Sequence, residues 1–220
     1  MNVKEQYAAV AADVVATCKR VGRAPEEVTV VAVSKTVGPD EVADAIAGGA
    51  RNFGENRPDQ LMLKADLFTD STWHFIGNIQ SRRIRDIVGR AALIHSLFEE
   101  RHARKIDEIA REHGIVQDVL LEVNVSGEES KSGLAPADVR AMLEACSELP
   151  NLRVCGLMTM APLGDMETAR ASFSGLRELR DELQADYPDL TELSMGMTDD
   201  WPIAIEEGAT IVRIGRAIFQ

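Results

Sequence analysis

Residues 28–34 read VTVVAVS and run directly into Lys35. The run is apolar without alternation, which predicts a strand covered on both faces, as in a parallel sheet. Upstream, residues 3–21 place Val3, Tyr7, Val10, Val14, Cys18 and Val21 three or four positions apart, the spacing of one helix face. Gly22 follows where a helix-ending glycine belongs. Downstream, residues 40–47 read as a helix stopped by Gly48-Gly49. Seven further strands are expected at 51–53, 73–76, 93–95, 118–123, 153–158, 192–197 and 210–214. Helical stretches lie between them, including 99–113, 136–147, 166–186 and 202–207. Strands alternating with helices imply βαβ units and a parallel sheet. Eight such strands predict a single (β/α)8 barrel of the TIM type over residues 1–220, preceded by an extra N-terminal helix. The expected strands at 51–53 and 93–95 are short, and without one of them an open doubly wound sheet would compete.

The chain has 220 residues, 24 basic and 36 acidic side chains, a formal net charge of −12 and 45% hydrophobic residues. That is enough apolar surface for a core. The acidic balance argues against nucleic acid and against an anionic membrane surface as partners. No apolar run reaches the roughly 18 residues needed to span a membrane, and the N-terminus lacks the pattern of a signal peptide, so a cytoplasmic protein is expected. Cys18, Cys146 and Cys155 are odd in number, far apart and form no CxxC. They read as buried or half-buried thiols in a reducing compartment, with no metal site.

In such barrels, chemistry gathers where strands end at the C-terminal face. The first expected strand ends in Ser34-Lys35. Burial lowers a lysine pKa, and a neutral amine can form a Schiff base with a carbonyl. The alternative is a lysine whose stem packs while its head reaches solvent at the strand exit. The last two strand ends read Ser194-Met-Gly-Met-Thr198-Asp and Arg213-Ile-Gly-Arg216. This fold commonly binds phosphate there, where Gly196 and Gly215 would let backbone N–H groups approach an anion, and Ser194 and Thr198 carry hydroxyls. Both glycines are equally readable as ordinary turn residues. A carbonyl-reactive lysine facing a phosphate cup fits a phosphorylated aldehyde. His74 and His95 read as core histidines, with a ligand contact as the alternative for His74. His102 and His113 read as solvated, Met158 and Met160 as barrel packing, and Lys131 as a solvated loop lysine. No GxGxxG, Walker, HExxH or GxSxG pattern occurs, and no carboxylates pair in a way that reads as catalytic.

Taken together, several segments resemble the pyridoxal phosphate homeostasis proteins: VAVSK (31–35), NFGEN (52–56), WHFIGNIQ (73–80), VNVSGEESKSG (123–133), GLMTMAP (156–162), LSMGMTDDW (193–201) and VRIGRAIF (212–219). They span nearly the whole chain in order. The resemblance implies a barrel like the alanine racemase N-terminal domain, without that enzyme's second domain. It implies that Lys35 holds pyridoxal 5′-phosphate as a Schiff base, with Arg213 near the pyridine nitrogen. Ser194, Thr198, Gly215 and Arg216 would lie around the phosphate, and Asn56 near the ring; contacts from His74 and Met158 stay the alternative to core packing. An arginine at the pyridine nitrogen keeps it unprotonated and weakens the ring as an electron sink. Lys131 matches a lysine implicated in secondary cofactor handling. Thr198 stands where the family usually has serine, Arg82-Arg83 where it often has Asn-Lys, and Gln220 where a glycine is usual.

The expected function is a non-catalytic carrier that buffers intracellular pyridoxal phosphate and delivers it to apo-enzymes. A racemase of related fold is the alternative, but it needs a second acid/base opposite the lysine. Tyr7 and Tyr187, the only tyrosines, stand at no expected strand end. A Schiff-base aldolase acting on a sugar phosphate is a third reading; its lysine would be expected on a later strand. With no second domain to supply a dimer surface, a monomer is expected.

Overall fold

A computed structural model describes residues 1–128, 131–162 and 164–220. The chain begins with α1 (Val3–Arg20), capped by Asn2, whose side chain accepts from the Glu5 N–H while the Glu5 carboxylate accepts from the Asn2 N–H. The strands are β1 (Thr29–Val33), β2 (Asn52–Glu55), β3 (Thr72–Phe75), β4 (Leu93–Leu97), β5 (Gln117–Glu122), β6 (Leu152–Met158), β7 (Glu192–Ser194) and β8 (Ile211–Ile214). The intervening helices are α2 (Pro39–Ala47), α3 (Pro58–Leu67), α4 (Ile84–Ile87), α5 (Glu100–His113), α6 (Val139–Ser147), α7 (Met166–Leu183) and α8 (Trp201–Glu206), with α9 (Arg216–Phe219) last. The strands pair in parallel and in chain order, and β1 pairs with β8 to close an eight-stranded barrel. The open sheet is thereby excluded. No described helix is long and apolar enough to cross a membrane.

Closure explains the unbroken hydrophobicity of residues 28–34. One face of β1 packs under the helical shell, and the other faces the barrel interior, where Val31 joins Leu93, Leu120, Met158 and Ile211 in a small apolar cluster. Most of the core lies between barrel and helices, around Phe53, Phe75, Leu61, Ile106 and Phe173. Phe53 stacks on Trp73 at 5.2 Å between ring centroids.

Three expectations are corrected. The strand placed at 192–197 ends at Ser194, because the chain turns through Gly196 at φ +91°, where a Cβ would lie 2.6 Å from Ala204 Cβ. His102 is buried rather than solvated; it lies on the inward face of α5 with Ala103 and Ile106, and its Nε2 is 3.0 Å from Ser81 Oγ. Met160 does not pack the barrel; it stands 39% exposed just beyond β6. The three cysteines are buried or half-buried free thiols, as expected.

The loop after β3 crosses tightly over the residue that follows β2. A Cβ on Gly77 would lie 2.1 Å from the Asn56 carbonyl oxygen, a backbone atom that cannot step aside. Gly77→Ala must therefore part the two strand ends. It should destabilise the fold by about 2–3 kcal/mol, a fall in Tm of roughly 5–10 °C. Thermal denaturation followed by circular dichroism checks this, and an unchanged Tm would show that the crossing is loose.

Candidate functional site

The barrel topology gathers the expected residues at one end. Lys35 follows β1, Asn56 follows β2, Gly215 and Arg216 follow β8, and Thr198 lies beyond β7, so all sit at the C-terminal ends of adjacent strands. The β8 end packs directly on β1, since a Cβ on Gly215 would lie 3.3 Å from the Val33 carbonyl oxygen. Asn56 and Arg216 are exposed and Thr198 is half-buried. Arg216 is paired with Asp199 across the mouth.

Lys35 itself is exposed. Burial is therefore not what would activate its amine, and the reading of a head reaching solvent at the strand exit describes the geometry. It stands in a tight turn closed by the Val37 N–H on the Ser34 carbonyl at 3.2 Å. Beneath the turn lies a pair that the sequence reading missed. Lys64 from α3 and Glu55 from β2 are both fully buried, with Nζ 2.6 Å from Oε1. Lys64 Nζ also donates to the Ser34 carbonyl at 2.8 Å, and Ser34 Oγ donates to Glu55 Oε1 at 2.6 Å. The available signal was Lys64's place three residues after Leu61, on the buried face of α3.

Arg213 projects from β8 across the barrel interior and is 5% exposed. Its Nη1 donates to Ser194 Oγ at 2.5 Å and its Nη2 to the Thr159 carbonyl at 3.0 Å. Among the described residues no carboxylate lies within 4.0 Å of the guanidinium. Burial lowers its pKa to about 10, against the pull of the more distant Asp200 and Glu122 carboxylates. Burial raises Glu122, outweighing its hydrogen bond from Ser132 Oγ at 2.6 Å and the charge of Arg213.

From Ser194 a polar chain continues across the barrel. Ser194 Oγ is 2.8 Å from His95 Nδ1, His95 Nε2 is 2.9 Å from His74 Nδ1, and His74 Nε2 is 3.1 Å from Asn52 Oδ1. Asn52 Oδ1 can only accept, so His74 donates through Nε2 and accepts at Nδ1. His95 then donates through Nε2 and accepts the Ser194 hydroxyl proton, which leaves Ser194 Oγ to accept from Arg213. Every proton along the chain is used once. Burial pushes His74 down to about 4. It pushes His95 well below its ordinary value, helped by the neighbouring His74 and Arg213.

This arrangement separates the expected residues. Ser194 is fully buried and its hydroxyl is committed to Arg213 and His95, so the structure places it behind Arg213 rather than at the open mouth. His74 is a satisfied interior histidine. It borders a cavity of about 470 Å³ lined also by Asn52, Asp118, Arg153 and Glu192, at the N-terminal ends of the strands. That cavity lies at the opposite end from Lys35. Met158 packs in the barrel interior. Lys131 is not simply solvated; its Nζ donates to the Met160 carbonyl at 3.2 Å and pairs with Glu128 at 2.8 Å. Glu129 and Ser130 of the same motif lie outside the described residues.

The fold and the strand-end lysine together define a class, the barrel of the alanine racemase N-terminal domain, whose sequence profile matches residues 8–220. Alanine racemase of Clostridium difficile 630 has the same fold, with a TM-score of 0.75 at 16% identity over 94% of this chain and 56% of that one. A pyridoxal phosphate homeostasis protein of Aquifex aeolicus (strain VF5) is 43% identical over 100% of this chain and 98% of its own length. PipY of Synechococcus elongatus PCC7942, solved with PLP bound, superposes with a TM-score of 0.83 at 37% identity, over 96% of this chain and 100% of that one. The chain belongs to the pyridoxal phosphate homeostasis protein family.

The neutral histidine pair makes stability depend on acid. A histidine held unprotonated in the fold takes up its proton only on unfolding once the pH drops below its ordinary value near 6.5. Its contribution is therefore whole above that pH and is lost as pH falls toward about 4. The loss is about 1.4 kcal/mol per pH unit per histidine. Urea midpoints at about pH 7.5, 6 and 5 should fall less steeply in His74→Gln than in the unaltered chain. Parallel falls would show that His74 is already protonated in the fold.

Proposed function

We propose that this protein binds pyridoxal 5′-phosphate reversibly on Lys35 and acts as a carrier rather than a catalyst. The observation that carries the reading is Arg213: a guanidinium buried at the barrel end, held by a hydroxyl and a carbonyl, with no carboxylate within 4.0 Å among the described residues and a lysine amine at the end of the adjacent strand. A buried cation with donors to spare suits an acceptor on a ligand. When bound, pyridoxal phosphate supplies an aldehyde carbon to which a primary amine adds with loss of one water, a ring nitrogen that accepts a hydrogen bond, and a phosphate.

The residues present fit those three features. Lys35 offers an exposed amine. Arg213 offers N–H donors that Ser194 and Thr159 hold in place. Gly215, Arg216 and Thr198, clustered beyond β7 and β8, offer backbone and side-chain donors for the phosphate, and the family resemblance puts Asn56 near the ring. Ser194 serves through Arg213. Lys131, anchored on the Met160 carbonyl, is available to a departing or second cofactor at the rim.

The carrier reading rests on what the mouth lacks among the described residues. A racemase requires a second acid/base opposite the lysine. Tyr7 is packed in α1 outside the barrel, and Tyr187 lies in the loop after α7 beside Pro188. A carrier would exchange its cargo with apo-enzymes that use the same cofactor.

The decisive experiment is borohydride reduction of the protein loaded with pyridoxal phosphate, followed by peptide mapping. A single reduced adduct on Lys35, absent in Lys35→Ala, is expected. Adducts scattered over surface lysines, or turnover of an amino acid by the loaded protein that Lys35→Ala abolishes, would overturn the carrier reading. Light scattering should give a mass near that of one 24.0 kDa chain, and a dimer that persists on dilution would contradict the monomer.

A further inference from the structure

The Glu55–Lys64 pair needs an explanation that stability does not provide. Both side chains are fully buried and charged. A buried ion pair is often no more stable than apolar residues of similar volume, because desolvation offsets the attraction. The pair is also incompletely satisfied, since Glu55 Oε2 is buried without a hydrogen-bond partner among the described residues. Its position is more informative than its energy.

Every polar group of Ser34 is fixed. Its N–H donates to the Gly54 carbonyl at 3.1 Å, and its hydroxyl donates to Glu55 at 2.6 Å. Its carbonyl accepts both the turn-closing Val37 N–H at 3.2 Å and the Lys64 ammonium at 2.8 Å. Lys35 is the next residue and the second position of that turn. Lys64 therefore clamps the peptide from which Lys35 departs, and Glu55 holds Lys64 in place. The same bonds occupy Lys64 itself, so of the two lysines at this turn it is Lys35 that presents its amine.

We propose that Glu55 and Lys64 form a positioning clasp that fixes the Lys35 turn and so sets how completely Lys35 captures the aldehyde of pyridoxal phosphate. The proposal rests on the reading of Lys35 as the attachment point. Neither clasp residue touches the ligand; both act through the Ser34 carbonyl. Removing Lys64's bond frees the turn and disperses the amine, which lowers covalent capture while leaving the phosphate-binding end of the site unaltered.

The test measures total bound pyridoxal phosphate by equilibrium dialysis and the borohydride-trapped fraction on Lys35 by mass spectrometry, at saturating cofactor. Lys64→Met keeps the aliphatic stem and removes the donor. Its equilibrium for covalent capture should fall about tenfold or more, the effect of one lost charge-assisted hydrogen bond, while non-covalent binding persists. Ser34→Ala retains the carbonyl and the Lys64 bond, so its loss should be smaller. Full trapping in Lys64→Met would overturn the proposal. So would an equal loss in Ser34→Ala, which would place the effect in the packing of Glu55 rather than in the held carbonyl. If Lys64→Met leaves Glu55 unpaired and does not fold, the double variant Glu55→Gln/Lys64→Met removes that charge and is measured instead. Hydrogen exchange of the Val37 amide in the unaltered protein needs no variant. It should be slow although Lys35 and Thr36 are exposed, and fast exchange would refute a clamped turn. Absence of trapping on Lys35 in the unaltered protein would overturn the attachment reading itself, a result distinct from equal trapping in variant and parent.

Discussion

A guanidinium taken out of water must find acceptors for its N–H groups, or the barrel that encloses it will not close around it. Arg213 meets part of this requirement without a carboxylate partner among the described residues, using the Ser194 hydroxyl from β7 and the Thr159 carbonyl just beyond β6. These bonds cross the barrel, so the strand ends that form the mouth are tied through its interior. They also impose polarity on what is commonly a stack of branched aliphatic side chains. Ser194 can accept from Arg213 because its own proton goes to His95, and His95 can take that proton because its other nitrogen donates to His74. The histidines must be neutral for this order to hold, and their burial keeps them so. One buried cation thus dictates the tautomers of two rings and the orientation of an asparagine at the far end of the barrel.

Two lysines near the same end show opposite solutions to desolvation. Lys64 is sealed from water and held by Glu55 and Ser34, and Lys35 stands in solvent on a turn whose base is fixed. The contrast follows from their elements. Lys64 is on the inward face of α3, where an amine must be paired to be buried, and Lys35 follows the last residue of a strand, where the chain leaves the barrel wall. Rigid support beneath an exposed group is an economical way to orient a nucleophile, since the ordering entropy is borne by the backbone turn.

How much of this was legible in the sequence depends on the distance over which each feature is specified. Strand β1 and helix α1 announce themselves within their own residues, through an unbroken apolar run and a helical repeat. The barrel follows from the alternation. Residues 195–197 look strand-like, yet β7 ends at Ser194, and the contact of Gly196 with α8 shows why the chain turns there. His102 reads as solvated from its place in a helix, yet it lies on the buried face of α5, with Ser81 Oγ of another segment 3.0 Å from its Nε2. For Lys35 the sequence leaves two readings, a buried amine and a head reaching solvent, and the exposed position where the chain exits the sheet matches the second. The Glu55–Lys64 pair and the Ser194–His95–His74 chain join residues on different elements, and no local pattern encodes them. What did reach across the chain was the resemblance of seven ordered motifs, which named Lys35 and Arg213 without indicating what holds either in place.

The exposure of Lys35 bears on what kind of protein this is. Enzymes that use reactive covalent intermediates commonly close their sites against water, because water destroys those intermediates and weakens the electrostatics that guide them. A carrier has the opposite requirement. Release of an aldehyde from an amine consumes one water, so a site that must give up its cargo gains from an attachment point that water can reach. In the proposed carrier, Arg213, deep in the barrel, would supply recognition, and Lys35, exposed at the strand exit, a bond that solvent can undo. On that reading selectivity belongs to the buried half of the site and reversibility to the exposed half. On the proposed reading this division suits capture and delivery, and it follows from the geometry of a strand end.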